Sequence, residues 1–236
     1  IGMISDCLIN PIPGLRGRDI TPDFVSLQRL PRKFNNGWGI VIPARKGARL
    51  RELLKRGTVK VRVDIEAKTW QGEGETLIAT IRGGERPNEE VVVIGHLTST
   101  KPAANCASGP ALMIELARTL SALMRRGKIT RPKRTIRFLF VAEGLGTQAY
   151  LAAHCEELER VIGAVCLCGV GQDQEKCKSS LIVARTLDSV PSFMNDLTYS
   201  FLKKETRNLV PALRFEETPF TPLSDNSTLN LAGVPT

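Results

Sequence analysis

Residues 90–109 read Glu-Val-Val-Val-Ile-Gly-His-Leu-Thr-Ser-Thr-Lys-Pro-Ala-Ala-Asn-Cys-Ala-Ser-Gly. Val91 to Ile94 form a continuous β-branched run, the pattern of a strand buried on both faces. His96 stands at the end of that run, a short loop follows it, and small residues lead from Ala103 to Gly109 into a helix. Strand, loop and helix entry in this order build a metal or substrate site at a strand's carboxyl end. Positions 98 and 105, where a metal site would want carboxylates, carry the neutral Thr98 and Asn105.

Working outward, strands alternate with helices from about Glu75 onward. Strands are predicted at Thr76–Arg82, Val91–Gly95, Thr135–Ala142, Ala164–Gly169, Leu181–Ala184 and Ala212–Glu216. Helices are predicted at Ser108–Arg126, Thr147–Arg160 and Ser189–Glu205, the first with Leu112, Leu116 and Leu120 on one stripe. Such alternation predicts an α/β fold, a mostly parallel central sheet with helices on both faces. Ligands of such sheets sit beyond the carboxyl ends of the strands. Gly95-His96, Ala142-Glu143 and Cys168-Gly169 are therefore expected to converge on one crevice.

Residues 1–68 read differently. Two strands (Ile1–Ser5 and Gly39–Ile42) flank a turn-rich stretch with prolines at 11, 13 and 22, and Ala48–Arg56 repeats leucine at helical spacing up to Gly57. The alternating Val59–Ile65 is predicted as a further strand. The expected organisation is a small β-rich piece over 1–68 and an α/β domain over 75–236, both ends reading as cut. Localisation is therefore left open.

Composition narrows the function classes. The chain has 236 residues, 42% hydrophobic and 24% charged, enough to bury a substantial core. No apolar run approaches the roughly 20 residues that cross a bilayer. The net charge of +9 falls mainly in two clusters, Arg45 to Arg62 and Arg125 to Arg137, with aromatics only 5% of the chain. Nucleic-acid binding is not expected, because a stacking platform interleaves aromatic rings with cations. Six cysteines without disulfide-framework spacing read as free thiols and favour a reducing compartment.

Four separated blocks carry a family resemblance: Val91–Gly109, the strand Arg134–Glu143, Cys166-Leu-Cys168-Gly-Val-Gly171, and Ser224-Asp-Asn226 ahead of Gly233-Val-Pro235. In this order they resemble the co-catalytic zinc exopeptidases, the group of aminopeptidase Y, aminopeptidase S and the glutamate carboxypeptidases. Residues 1–68 resemble the closing half of the protease-associated domain that often accompanies these enzymes.

The resemblance implies a two-zinc peptidase, and its ligand positions can be matched one at a time. The family's first ligand histidine matches His96, while the aspartate that orients it matches Thr98. The aspartate bridging both zincs matches Asn105. The general-base glutamate matches Glu143, but the zinc-binding glutamate after it matches Gly144, with three residues missing beyond. The aspartate of the next strand end matches Cys168, and the last ligand histidine matches Asn226. Of five ligand positions only His96 keeps the family's residue.

Two zinc ions held close together need a bridging anion, which an Asn amide cannot supply. The expectation is therefore a copy without hydrolytic activity that keeps a peptide- or protein-binding crevice. The alternative is an active metallopeptidase with one zinc on His96 and Cys168, helped by the Asn105 oxygen or the Cys106 sulfur, and Glu143 as general base. At most one zinc is expected, and none on the non-hydrolytic reading.

Other residues read as structural. His154 lies at helical spacing from Tyr150 on the surface or core, Asp225 orders the loop carrying Asn226, and Glu216-Glu217 faces solvent. Gly169-Val-Gly171 lacks the second half of a phosphate loop. A cysteine nucleophile would need His96, within reach of Cys106 or Cys168 alone.

Overall fold

The computed structural model describes residues 2–7, 22–23, 25, 37–66, 68, 70–98, 103–177, 179–190, 192–208, 213–222 and 224–236. They divide into two compact units, Ile1–Gly72 and Glu73–Thr236.

In the first unit, β1 (Gly2–Ser5) pairs in parallel with β2 (Trp38–Val41), Gly2 opposite Trp38 and Ser5 opposite Val41. Helix α1 (Ala44–Arg56) follows Pro43 and stops at Gly57. Arg51 on this helix grips the buried Asp6 with two hydrogen bonds of 2.6 and 2.5 Å, tying the helix to the segment just after β1. The expected strand Val59–Ile65 does not form: the segment pairs with no described strand, and Val61 and Ile65 are exposed.

The second unit opens with β3 (Leu77–Ile81) and β4 (Arg86–Thr98), followed by α2 (Ala103–Arg125) and β5 (Arg134–Ala142). Next come α3 (Leu145–Ala153), a 3-10 segment over Cys155–Arg160, β6 (Val161–Cys166) and the short α4 (Gln174–Cys177). β7 (Leu181–Ala184), α5 (Met194–Asn208), β8 (Phe215–Thr218) and α6 (Asp225–Leu231) complete it. The helix predicted over Thr147–Arg160 is thus split at His154, where φ −124° and ψ 27° leave the α-helical region. The short α6 was not foreseen.

The central sheet runs β3-β5-β4-β6 and is mixed. β4 pairs in parallel with both β5 and β6, whereas β3 runs antiparallel on the edge of β5. Three of the four strands are parallel, as expected, and β3 is the exception: its connection to β4 is too short for the crossover a parallel pair needs, so it runs opposite to β4 and lies on the far side of β5. β7 and β8 form a separate two-stranded parallel sheet among the described residues.

Strand alternation divides the core in two, which puts helices on both faces. Val92, Ile94, Leu139, Val141 and Ala164 pack under Tyr150 and Leu151 of α3 and Leu229 of α6. On the opposite face Val93, Phe138 and Phe140 pack against Met113 of α2. Full burial of side chains this size stabilises by roughly 1.5–3 kcal/mol each.

The chain leaves β4 through α2 to β5 on one side and reaches β6 on the other through α3. That reversal of strand order falls at the carboxyl end of β4, where His96 stands and where sheets of this kind bind their ligands. Helix α2 comes close to the segment after β6 only because residue 109 is glycine. A Cβ there would lie 2.1 Å from the Leu167 carbonyl oxygen.

Candidate functional site at the carboxyl ends of β4, β5 and β6

His96 is 1% exposed and is held on both ring nitrogens. Its Nδ1 donates to Oδ2 of Asp225, 3.1 Å away in the first turn of α6. Its Nε2 lies 3.1 Å from Nδ2 of Asn105 on α2. The same amide accepts the Cys168 thiol through Oδ1 at 3.0 Å, and the Cys168 sulfur is itself 4.0 Å from His96 Nε2. Asp225 is buried as well: its Oδ1 accepts from the Gly144 N–H at 2.9 Å and from the Thr147 hydroxyl at 2.6 Å. The ends of all three parallel strands are thereby joined by one hydrogen-bonded chain.

Electrostatics favour charge on this pair. Burial pushes the His96 imidazole pKa down, but the Asp225 hydrogen bond and the nearby Cys168 sulfur outweigh it and raise the pKa from 6.5 to about 10. Burial raises the Asp225 carboxyl, yet its bonds to His96, Thr147 and the Gly144 N–H hold it below its ordinary range. The thiol of Cys166, two residues before Cys168, is pushed well above its usual value by burial.

The remaining family positions are used differently. Thr98 lies past a bulge between His96 and Thr98 in the β4–β5 register, and its side chain is exposed. Its carbonyl accepts the Glu143 N–H at 3.1 Å, so its contribution here is backbone only. The orienting carboxylate that Thr98 lacks comes instead from Asp225, read from the sequence as ordering its own loop.

Gly144 is the centre of a γ-turn, φ 70° and ψ −70°, closed by the Leu145 N–H on the Glu143 carbonyl at 2.8 Å. That is a strained, left-handed conformation suited to glycine. Glu143 itself is half-buried, immediately beyond β5. Asn226 is 8% exposed and donates Nδ2 to the Thr221 carbonyl at 3.2 Å, which spends its amide on the loop before α6.

This donor set does not fit a two-zinc centre. The five family positions offer one imidazole, one thiol and two amides, and residue 144 has no side chain at all. Among the described residues, no three His, Cys, Asp or Glu side chains come together as a metal ion would need. Structural zinc takes four protein ligands and catalytic zinc three, against the two strong donors here.

His154 stacks on Tyr150 with ring centroids 4.4 Å apart and lies 3.3 Å from Glu157, a structural placement far along α3 from the crevice. Cys155, Cys166 and Cys168 are free thiols. Sequence reasoning missed Thr147 entirely; a buried threonine in the first turn of a helix leaves no signal of the distant carboxylate it serves. No described helix is long and apolar enough to cross a membrane.

The fold is an M28-peptidase-like α/β domain. It superposes on an M28 peptidase precursor from Shewanella amazonensis with a TM-score of 0.53 and 19% identity, over 84% of this chain and 43% of that one. A protein from Clostridium acetobutylicum, named provisionally as a peptidase, matches with a TM-score of 0.51 and 21% identity, over 68% of this chain and 33% of that one. This chain therefore spans less than half the length of either. No curated protein matches the sequence. Residues 57–196 match the family model described as "Domain of unknown function (DUF4910)", and the chain belongs to that family.

Proposed function

We propose that this is an aminopeptidase-like domain that no longer hydrolyses peptides and uses its crevice to bind a peptide or protein segment. One observation carries the reading. The side chains at three ligand positions of the resembled peptidases, His96, Asn105 and Cys168, are bonded to one another rather than opened toward a shared metal. With that network closed, Glu143 has no metal-bound water of lowered pKa to deprotonate.

Exposed apolar side chains at the same end of the sheet support a binding role. Leu97 is 47% exposed beside His96, and Leu145 is 79% exposed beside Gly144. The first unit, with its parallel strand pair and helix, is read as part of a protease-associated domain. Such a domain suits an accessory of peptide recognition.

Three measurements test this. Leucyl-4-nitroanilide is offered to the protein with added zinc or cobalt, and metal content is determined by elemental analysis. No hydrolysis above background is expected; turnover that disappears in both His96→Ala and Glu143→Ala overturns the reading. Anisotropy of a fluorescein-labelled peptide with an amino-terminal leucine should show saturable binding that Leu97→Asp and Leu145→Asp weaken.

A further inference from the structure

Cys168, His96 and Asp225 come from three segments far apart in sequence and meet in the order thiol, imidazole, carboxylate. Asp225 is anchored by the Gly144 N–H and the Thr147 hydroxyl, and it fixes the imidazole through Nδ1 at 3.1 Å. That leaves Nε2 directed toward sulfur at 4.0 Å, a loose contact of the kind that tightens when substrate binds. The Asn105 amide touches both partners and can serve either protonation state. As placed, it donates to a neutral imidazole and accepts the thiol; turned over, it accepts from an imidazolium and donates to a thiolate. Both Cys168 and Cys166 are half-buried, but Cys166 packs against the core cluster under α3 and α6, and Cys168 is bonded to Asn105.

We propose that Cys168 is a nucleophile that takes up activated acyl groups, thioesters or aryl esters, as an S-acyl adduct, with its proton held on His96 and Asp225 positioning His96. In this step Sγ bonds to the carbonyl carbon, and the bond from that carbon to the thiolate or aryloxide breaks. The leaving group departs with the electron pair, and the proton given up by the sulfur stays on His96 Nε2. A departing thiolate takes a proton back from the imidazolium. The inference stands apart from the peptide-binding reading, which is judged by metal content, anilide hydrolysis and peptide anisotropy.

The test treats the full chain, with and without a chelator, with 4-nitrophenyl acetate at neutral pH. Acetylation is then located by tandem mass spectrometry on the tryptic peptide Val161–Lys176, which contains both Cys166 and Cys168. The expected result is acetyl on Cys168 and none on Cys166, at least about tenfold faster than on the exposed Cys7 and Cys155. Asp225→Asn and His96→Gln should each lower the Cys168 rate about tenfold while leaving Cys7 and Cys155 unchanged.

A far-downfield proton resonance from His96 Nδ1–H in the wild-type chain, absent in Asp225→Asn, should mark the positioning role. A wild-type Cys168 no faster than Cys7 and Cys155 overturns the proposal, and that comparison needs no variant to fold. Stoichiometric zinc in the purified protein, with Cys168 reactive only after chelation, overturns it as well.

Discussion

Replacing Asp225 with asparagine keeps the side chain's size and removes its charge, so the effect on folding should depend on pH in a defined direction. His96 has a folded-state pKa of about 10 against an ordinary 6.5. A group whose pKa is raised on folding contributes its full stabilisation below the unfolded value and loses it as pH climbs toward the folded value. From those two values the contribution is on the order of 5 kcal/mol at pH 5.5, about 4 at pH 7 and about 2 at pH 8.5.

In Asp225→Asn the largest of the raising contacts is gone while burial and the Cys168 contacts remain, so the imidazole pKa falls and most of that contribution disappears. Asp225 itself, with a lowered pKa, contributes stability above about pH 4 that is lost only on further acidification. It is therefore constant over the range measured. The stability gap between wild type and variant should shrink by roughly 2 to 3 kcal/mol between pH 5.5 and 8.5.

Urea unfolding followed by far-ultraviolet circular dichroism is the suitable assay. Both tryptophans, Trp38 and Trp70, lie in the first unit, and their fluorescence would report on that unit instead. A gap that is independent of pH, or that widens as pH rises, would refute the charged His96–Asp225 pair.

Other perturbations have equally definite outcomes. Gly109→Ala places a methyl 2.1 Å from a backbone oxygen, so α2 or the Leu167 segment must move; thermal melting should show a loss of at least about 2 kcal/mol. Arg137→Ala strands the buried Glu90, whose carboxylate lies 2.6 Å from the Arg137 Nε, at a cost of about 3–5 kcal/mol by denaturant titration. Pairing Arg137→Met with Glu90→Leu should recover most of that loss. Gly144→Ala forces a non-glycine into the γ-turn at φ 70° and should cost about 1–2 kcal/mol by the same measurement.

The residues that were easiest to read are those whose signal is local. Val91 to Ile94 and Thr135 to Ala142 fall on β4 and β5 because a long apolar run bounded by polar turns has few other outcomes. Val59–Ile65 shows the limit of that logic. It has the alternation and β-branching of a strand, but a strand exists only with a partner edge, and none of the described strands supplies one.

The site divides in the same way. His96, Asn105 and Cys168 could be matched one by one and do meet in space. The partner that fixes His96 could not be found this way, because Asp225 lies 129 residues further on and is brought in only by α6 packing over α3. Gly144 was legible as a lost ligand, yet its γ-turn, which favours glycine on backbone grounds, was not.

The 129-residue separation of His96 from Asp225 sets the order in which this part of the protein is completed. In a chain synthesised from the amino terminus, β4, α2, β5, α3 and β6 all emerge before Asp225, so the sheet can collapse while His96 still lacks its carboxylate. During that interval the imidazole is already in apolar surroundings that favour its neutral form. It gains its proton and its fixed orientation when α6 docks and Asp225 reaches Nδ1. The crevice thus matures in two stages, shape first and charge second, and a ribosome-stalled chain ending before residue 225 would carry the first without the second.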